Sequence, residues 1–126
     1  LFLLVGIVYQ RTHTRQLDEI GALTAQAPRL AVFLAIGLLA AAGLPPGAGF
    51  IAELHVLIGA FARWQGGVVP LSLAMLIGAA YALRIIGRLC LGARPHAAPL
   101  ADLGRAESAA AGLLVAGLVA TGLHPA

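Results

Sequence analysis

Gly43-Leu44-Pro45-Pro46-Gly47-Ala48-Gly49-Phe50-Ile51-Ala52-Glu53 lies in the middle of an apolar run that extends from residue 30 to residue 62. As a single α-helix that run would be about 50 Å long at roughly 1.5 Å per residue. The hydrocarbon core of a bilayer is only about 30 Å thick. Two adjacent prolines also remove two backbone donors, and each ring clashes with the turn before it. Glycines on both sides admit dihedrals that other residues resist. The stretch therefore predicts a broken helix: one half near 30–43, a non-helical link, and a second half near 50–62. The break is assigned to Gly43, Pro45, Pro46, Gly47 and Gly49. Non-helical backbone at membrane depth is tolerated only where protein or a wet cavity covers it. The break should accordingly face the interior of a helix bundle.

Outward from the break, three more apolar segments emerge: a helix end at 1–10, a helix at about 68–92 and another at about 107–124. The last two fit one crossing each, which takes roughly 20 residues. The composition agrees, with 60% hydrophobic and only 10% charged residues, where a soluble domain carries about 25% charged. The fold class expected is an all-α membrane protein, a multi-spanning helix bundle with one discontinuous helix. Residues 1–126 are expected to form a single membrane module. The apolar start at Leu1 and the end just after an apolar run are expected for a fragment of a larger subunit.

The net charge is +3, and every base is Arg. Nucleic-acid binding needs bases clustered on a polar surface, whereas these flank apolar runs, so no nucleic-acid partner is expected. The linkers 10–28 and 93–107 hold two Arg each, with Arg29 and Arg88 close beside them, and the turn 63–67 holds one. Excess Arg marks the cytoplasmic side, so the first and third linkers should share it, with Trp64 at the opposite interface. Cys90 is the single cysteine, which excludes an internal disulfide and an iron–sulfur cluster held within this chain. His13, His96 and His124 show no metal-ligand spacing. Gly47-Ala48-Gly49 lacks the Lys-Ser/Thr of a phosphate loop. No metal or cofactor is expected in this chain.

Glu53 is the residue most suited to chemistry. It lies about one turn into the second half-helix, in an apolar segment. Desolvation there disfavours the charged carboxylate, while the electropositive start of the half-helix favours it. A carboxyl between these opposing effects is what a proton relay needs; the competing reading is a structural Glu paired with a base on another helix. His55 is two residues on, about 200° around the helix, so it cannot share a face with Glu53. It is expected to be a neutral histidine satisfied by a neighbour, with a place on the same hydrated path as the alternative. Arg84 and Arg88 are four apart and share a face. Arg88 can snorkel to the headgroups, and Arg84, one turn deeper, can be the charge partner of an acid on another helix.

The stretch from Gly43 to Glu53 resembles the signature of antiporter-like membrane subunits: Gly-Leu-Pro, a short gap, Gly-Phe, two residues, then a charged residue. The family includes subunits L, M and N of NADH-quinone oxidoreductase (respiratory complex I), Mrp-type cation/proton antiporters and membrane-bound hydrogenase subunits. Subunits L and N usually have Lys at the charged position and subunit M has Glu, so Glu53 points to M. Leu1 to Gly6 with Tyr9, Arg11 and His13-Thr14-Arg15 look like the preceding helix end and loop. Tyr81, Arg88 and Gly92, then Asp102, Arg105, Glu107, Gly122 and Pro125, resemble the two helices that follow. The chain departs from the pattern at Ala22, where a second Gly is common, at Leu54, where an aromatic is common, and at Pro46, where subunit M often has Gly. The resemblance implies a broken twelfth helix of fourteen and a proton-translocating subunit with Glu53 near the periplasmic exit. It also implies other membrane subunits and the lipid bilayer as partners, with NADH, flavin, iron–sulfur clusters and quinone held elsewhere in the complex. An Mrp-type antiporter or hydrogenase subunit, and a structural scaffold without a relay, are the alternatives. The expected location is a bacterial inner membrane, with an organellar inner membrane as the other candidate.

Overall fold

The interruption in the long apolar run separates two helices, α3 (Pro28–Ala41) and α4 (Ala48–Trp64). The structure is a computed structural model and describes residues 1–14, 16, 20–45, 47–93 and 99–124. Pro46, like Arg15, Arg94, His96 and Pro125, lies outside the described residues. Before α3 come α1 (Phe2–Thr12) and the short α2 (Leu23–Gln26). After α4, a 3₁₀ turn at Gln65–Gly67 leads into α5 (Val68–Ile86), which ends in a π-helical turn at Gly87–Leu91. The last helix is α6 (Arg105–Leu123). The described residues contain no strand.

The helix limits follow local chemistry. Pro28 stands at the first turn of α3, where a missing N–H costs nothing. Gln65 takes a positive φ of 42° and closes α4. The polar stretch 10–28, expected as a plain linker, contains α2, a single turn whose first flanking residue, Ala22, has φ 53°.

Contacts fix the directions of the helices. Arg11, at the end of α1, bonds Glu107 at the start of α6, while Leu1 lies by Gly37. α1 therefore runs opposite to α3 and α6. Asp102 meets the start of α3, and Leu118 meets Gly47 just past its end, so α3 and α6 run the same way. α5 packs on α3, and the turn at its end meets α2, so the chain reverses at Gln65–Gly67. The linkers after α1 and after α5 thus gather at one end.

The buried core sits at that same end. Ile20, Leu23, Ala27 and Leu30 from the first linker and α3 pack with Leu89, Leu100 and Leu103 from the third linker and its flanks. α4 has no buried residue. On α4 and α5, Val56, Ile58, Phe61, Val69, Leu76 and Ile77 are all exposed. An apolar surface this extensive requires lipid or other helices around it. In lipid such side chains lose nothing by exposure, because acyl chains are as apolar as Leu; contact comes from packing and polar ties.

Candidate functional site

The site is built by the way α3 ends. The Leu44 amide donates to the Leu39 carbonyl at 3.0 Å, and the Gly43 amide donates to Ala40 at 3.2 Å. Gly43 itself is left-handed, with φ 67°. This pair of bonds around a left-handed glycine is a Schellman cap, which satisfies carbonyls at a helix end. Pro45 follows at once and prevents the helix from resuming. The Gly47 amide then donates to Leu44 at 3.3 Å, which turns the chain toward α4.

The two helices cross closely at the break because of two glycines. A Cβ on Gly49 would lie 3.2 Å from the Ala40 carbonyl oxygen, and one on Gly47 would be 3.5 Å from the Ala40 Cα. The first turn of α4 consequently leans on the last turn of α3. One consequence falls on Glu53. Its carboxyl is folded back over the break and rests against the Cα of Gly43, so that a Cβ built there would fall inside it.

Glu53 is half-buried. None of the described residues gives its carboxyl a hydrogen bond or an ion pair. Both oxygens retain acceptor capacity, which a proton or a water molecule can take up. An apolar cavity of about 240 Å³ lies on another flank of the break, lined by Ile36, Ala40, Leu44, Pro45, Leu118 and Val119. The carboxyl is the one ionisable group that the described residues bring to the break.

His55 is exposed, and its Nδ1 lies 2.7 Å from the Ile51 carbonyl oxygen one turn back. It points away from Glu53, as the helical spacing requires. Arg84 and Arg88 are both exposed on α5 and its terminal turn, and neither pairs with Glu53. Of the sequence-derived set, the structure brings together Gly43, Gly47, Gly49 and Glu53. His55 and the arginines lie apart from them.

Sequence reasoning passed over a polar seam at the linker end. The Asp102 carboxylate accepts the amides of Arg29 at 3.3 Å, Leu30 at 3.1 Å and Leu103 at 2.8 Å. It thereby caps α3, which has no side-chain cap of its own. Arg11 Nη2 reaches Glu107 Oε2 at 2.7 Å, and the Gly104 amide donates to the same oxygen at 2.8 Å. Thr24 Oγ1 donates to the Cys90 carbonyl in the π-turn, and the Leu100 amide donates to Gln26 Oε1 at 3.3 Å. The available signal was opposite charges flanking spans on the side predicted to be common.

Two stretches, Ala48–Leu91 and Arg105–Leu123, are long and apolar enough to cross a membrane, and Pro28–Ala41 is a shorter apolar helix. Together with interrupted backbone beside a carboxyl, they define a helical membrane protein with an ionisable group held at a helix break. The chain belongs to the NADH:quinone oxidoreductase/Mrp antiporter transmembrane family, whose model matches residues 1–78. It is 35% identical over 92 residues to NADH-quinone oxidoreductase subunit M of Rickettsia felis, covering 73% of this chain and 19% of that protein. It is 34% identical over 127 residues to subunit N of Chloroflexus aggregans, covering 98% of this chain and 25% of that one. NAD(P)H-quinone oxidoreductase chain 4 1 of a Synechococcus strain is 33% identical over 136 residues, covering 99% and 26%. The chain thus spans about a fifth to a quarter of the length of these curated relatives.

Proposed function

We propose that this chain is the part of a proton-translocating membrane subunit of NADH-quinone oxidoreductase that carries a broken transmembrane helix. In this reading α3 and α4 are two halves of one discontinuous crossing in a multi-spanning bundle, and Glu53 is a proton-relay station. The observation that carries it is the Glu53 carboxyl, half-buried against Gly43 and unpaired among the described residues. An ionisable side chain within a membrane segment is costly to keep and marks proton relays and ion paths, and Glu53 is the one that the described residues bring to the break. The exposed apolar faces of α4 and α5 fit lipid and the other membrane subunits as neighbours. The redox groups and the quinone belong to other parts of the complex, and the setting is the inner membrane of a bacterium. His55 has at most an accessory place, because its ring is engaged with the Ile51 carbonyl.

The test replaces Glu53 in the full-length subunit within its assembled complex. Glu53→Gln keeps the shape and removes the titrating proton. Proton pumping into membrane vesicles should fall at least about tenfold, as expected for loss of a relay acid, with the complex assembled normally. Pumping at the wild-type rate in the assembled Glu53→Gln complex would remove Glu53 from the relay. Failed assembly with Glu53→Ala beside full function with Glu53→Gln would point to a scaffold.

A further inference from the structure

Gly43 meets two separate demands. Its φ of 67° is one that L side chains adopt only with strain. The second demand is spatial: the position a Cβ would take is filled by the Glu53 carboxyl, ten residues on and across the link. The Schellman bonds from Leu44 to Leu39 and from Gly43 to Ala40 fix the Gly43 Cα relative to α3. We infer that Gly43 is a positioning residue for Glu53: its bare Cα is the seat that fixes where the carboxyl stands between the two half-helices.

The inference rests on the relay reading only for its effect on pumping; the seat itself is a statement about contact. Two observations make the contact specific. Gly49 lies in contact range of the Gly43 Cα and 3.2 Å from the Ala40 carbonyl when given a Cβ, so the first turn of α4 is already seated on α3 by backbone contact. Nor do the described residues offer the carboxyl another polar anchor. The carboxyl is the far end of a flexible side chain, so a side chain at position 43 displaces it instead of the backbone. Shortening the acid by one methylene makes room for the new methyl group.

The experiment uses the full-length subunit in its complex, with Gly43→Ala, Glu53→Asp and the double variant. Two readouts are taken: pumping as a function of pH, and the infrared carbonyl band of the protonated carboxyl, assigned as the band lost in Glu53→Gln. Gly43→Ala should shift that band and displace the pH profile of pumping. Glu53→Asp should lower pumping alone yet raise it several-fold when added to Gly43→Ala. If instead the two single losses multiply and the band stays in place, the seat is wrong, whatever the pumping rates. A wild-type Glu53→Gln complex with a band that still shifts in Gly43→Ala would sink the relay and leave the seat standing. Should Gly43→Ala fail to assemble, its Tm loss is measured in the Glu53→Ala background. There the φ strain remains and the clash is gone, so the loss should be clearly smaller than with Glu53 present. An equal loss overturns the proposal.

Discussion

Ala22 adopts φ 53°, a left-handed conformation in which a Cβ crowds the following carbonyl. That crowding costs about 1–2 kcal/mol, and glycine's extra freedom in the unfolded chain returns about 0.4–1 of it. Ala22→Gly should therefore stabilise the protein by about 0.5–1 kcal/mol, read as a higher Tm of the detergent-solubilised subunit; a lower Tm would contradict the strain. The family resemblance already marked this position as one where a second glycine is common, and the dihedral supplies the reason. Gly21 beside it is constrained differently. A Cβ there would lie 2.8 Å from the carbonyl oxygens of both Gly92 and Ala93, so at this point the chain segments meet backbone to backbone. Gly43 combines both constraints in one residue.

At the scale of elements, α3 is held by a cap at each end, and only one was legible in the sequence. Gly43-Leu44-Pro45 announces its C-terminal cap, because glycine and proline act through their own covalent structure. The halves expected near 30–43 and 50–62 correspond to Pro28–Ala41 and Ala48–Trp64 for the same reason. The N-terminal cap is Asp102, more than seventy residues away, and no local pattern reveals a bond that only the tertiary fold makes. The seat of Glu53 was hidden likewise, since it depends on how sharply the link turns. Burial pushes the Asp102 carboxyl up, but the amides of Leu103, Leu30 and Arg29 and the Arg29 charge outweigh it and hold the carboxyl below its ordinary value. A carboxyl depressed in the folded state stabilises above its unfolded pKa, and that contribution fades as pH falls through the folded value. Asp102→Ala should thus cost about 1 kcal/mol at neutral pH, the usual worth of a helix cap. Wild type and variant should converge in Tm well below about pH 4, the ordinary range of a carboxylate. A gap that persists undiminished into acid would show that the carboxylate's charge contributes nothing.

Across the whole molecule, polar ties and apolar faces are segregated. Thr24 to Cys90, Leu100 to Gln26, Asp102 to α3 and Arg11 to Glu107 all join the first linker or its flanks to the third linker or its flanks. The turn at Gln65–Gly67, beside exposed Trp64, lies at the other end of α5. Ion pairs in water are worth little, about 0–1 kcal/mol, so this seam acts by setting register between α1, α3 and α6, more than by strength. On the proposed reading it also sets a topology, with both linkers on one side of the bilayer, the turn on the other, and the excess of Arg expected to mark the linker side as cytoplasmic. In full-length protein with Cys90 replaced by Ser, single cysteines are introduced at Gln16, Ala101 and Gly66, all of them exposed. A membrane-impermeant maleimide added to inverted vesicles should label Gln16→Cys and Ala101→Cys, and added to right-side-out vesicles it should label Gly66→Cys alone. Labelling of positions 16 and 101 from opposite faces would break the seam as described. Labelling of position 66 from the same face as both would mean that α4 and α5 do not return across the membrane as separate passes, and the proposed discontinuous crossing beside Glu53 would lose its second half.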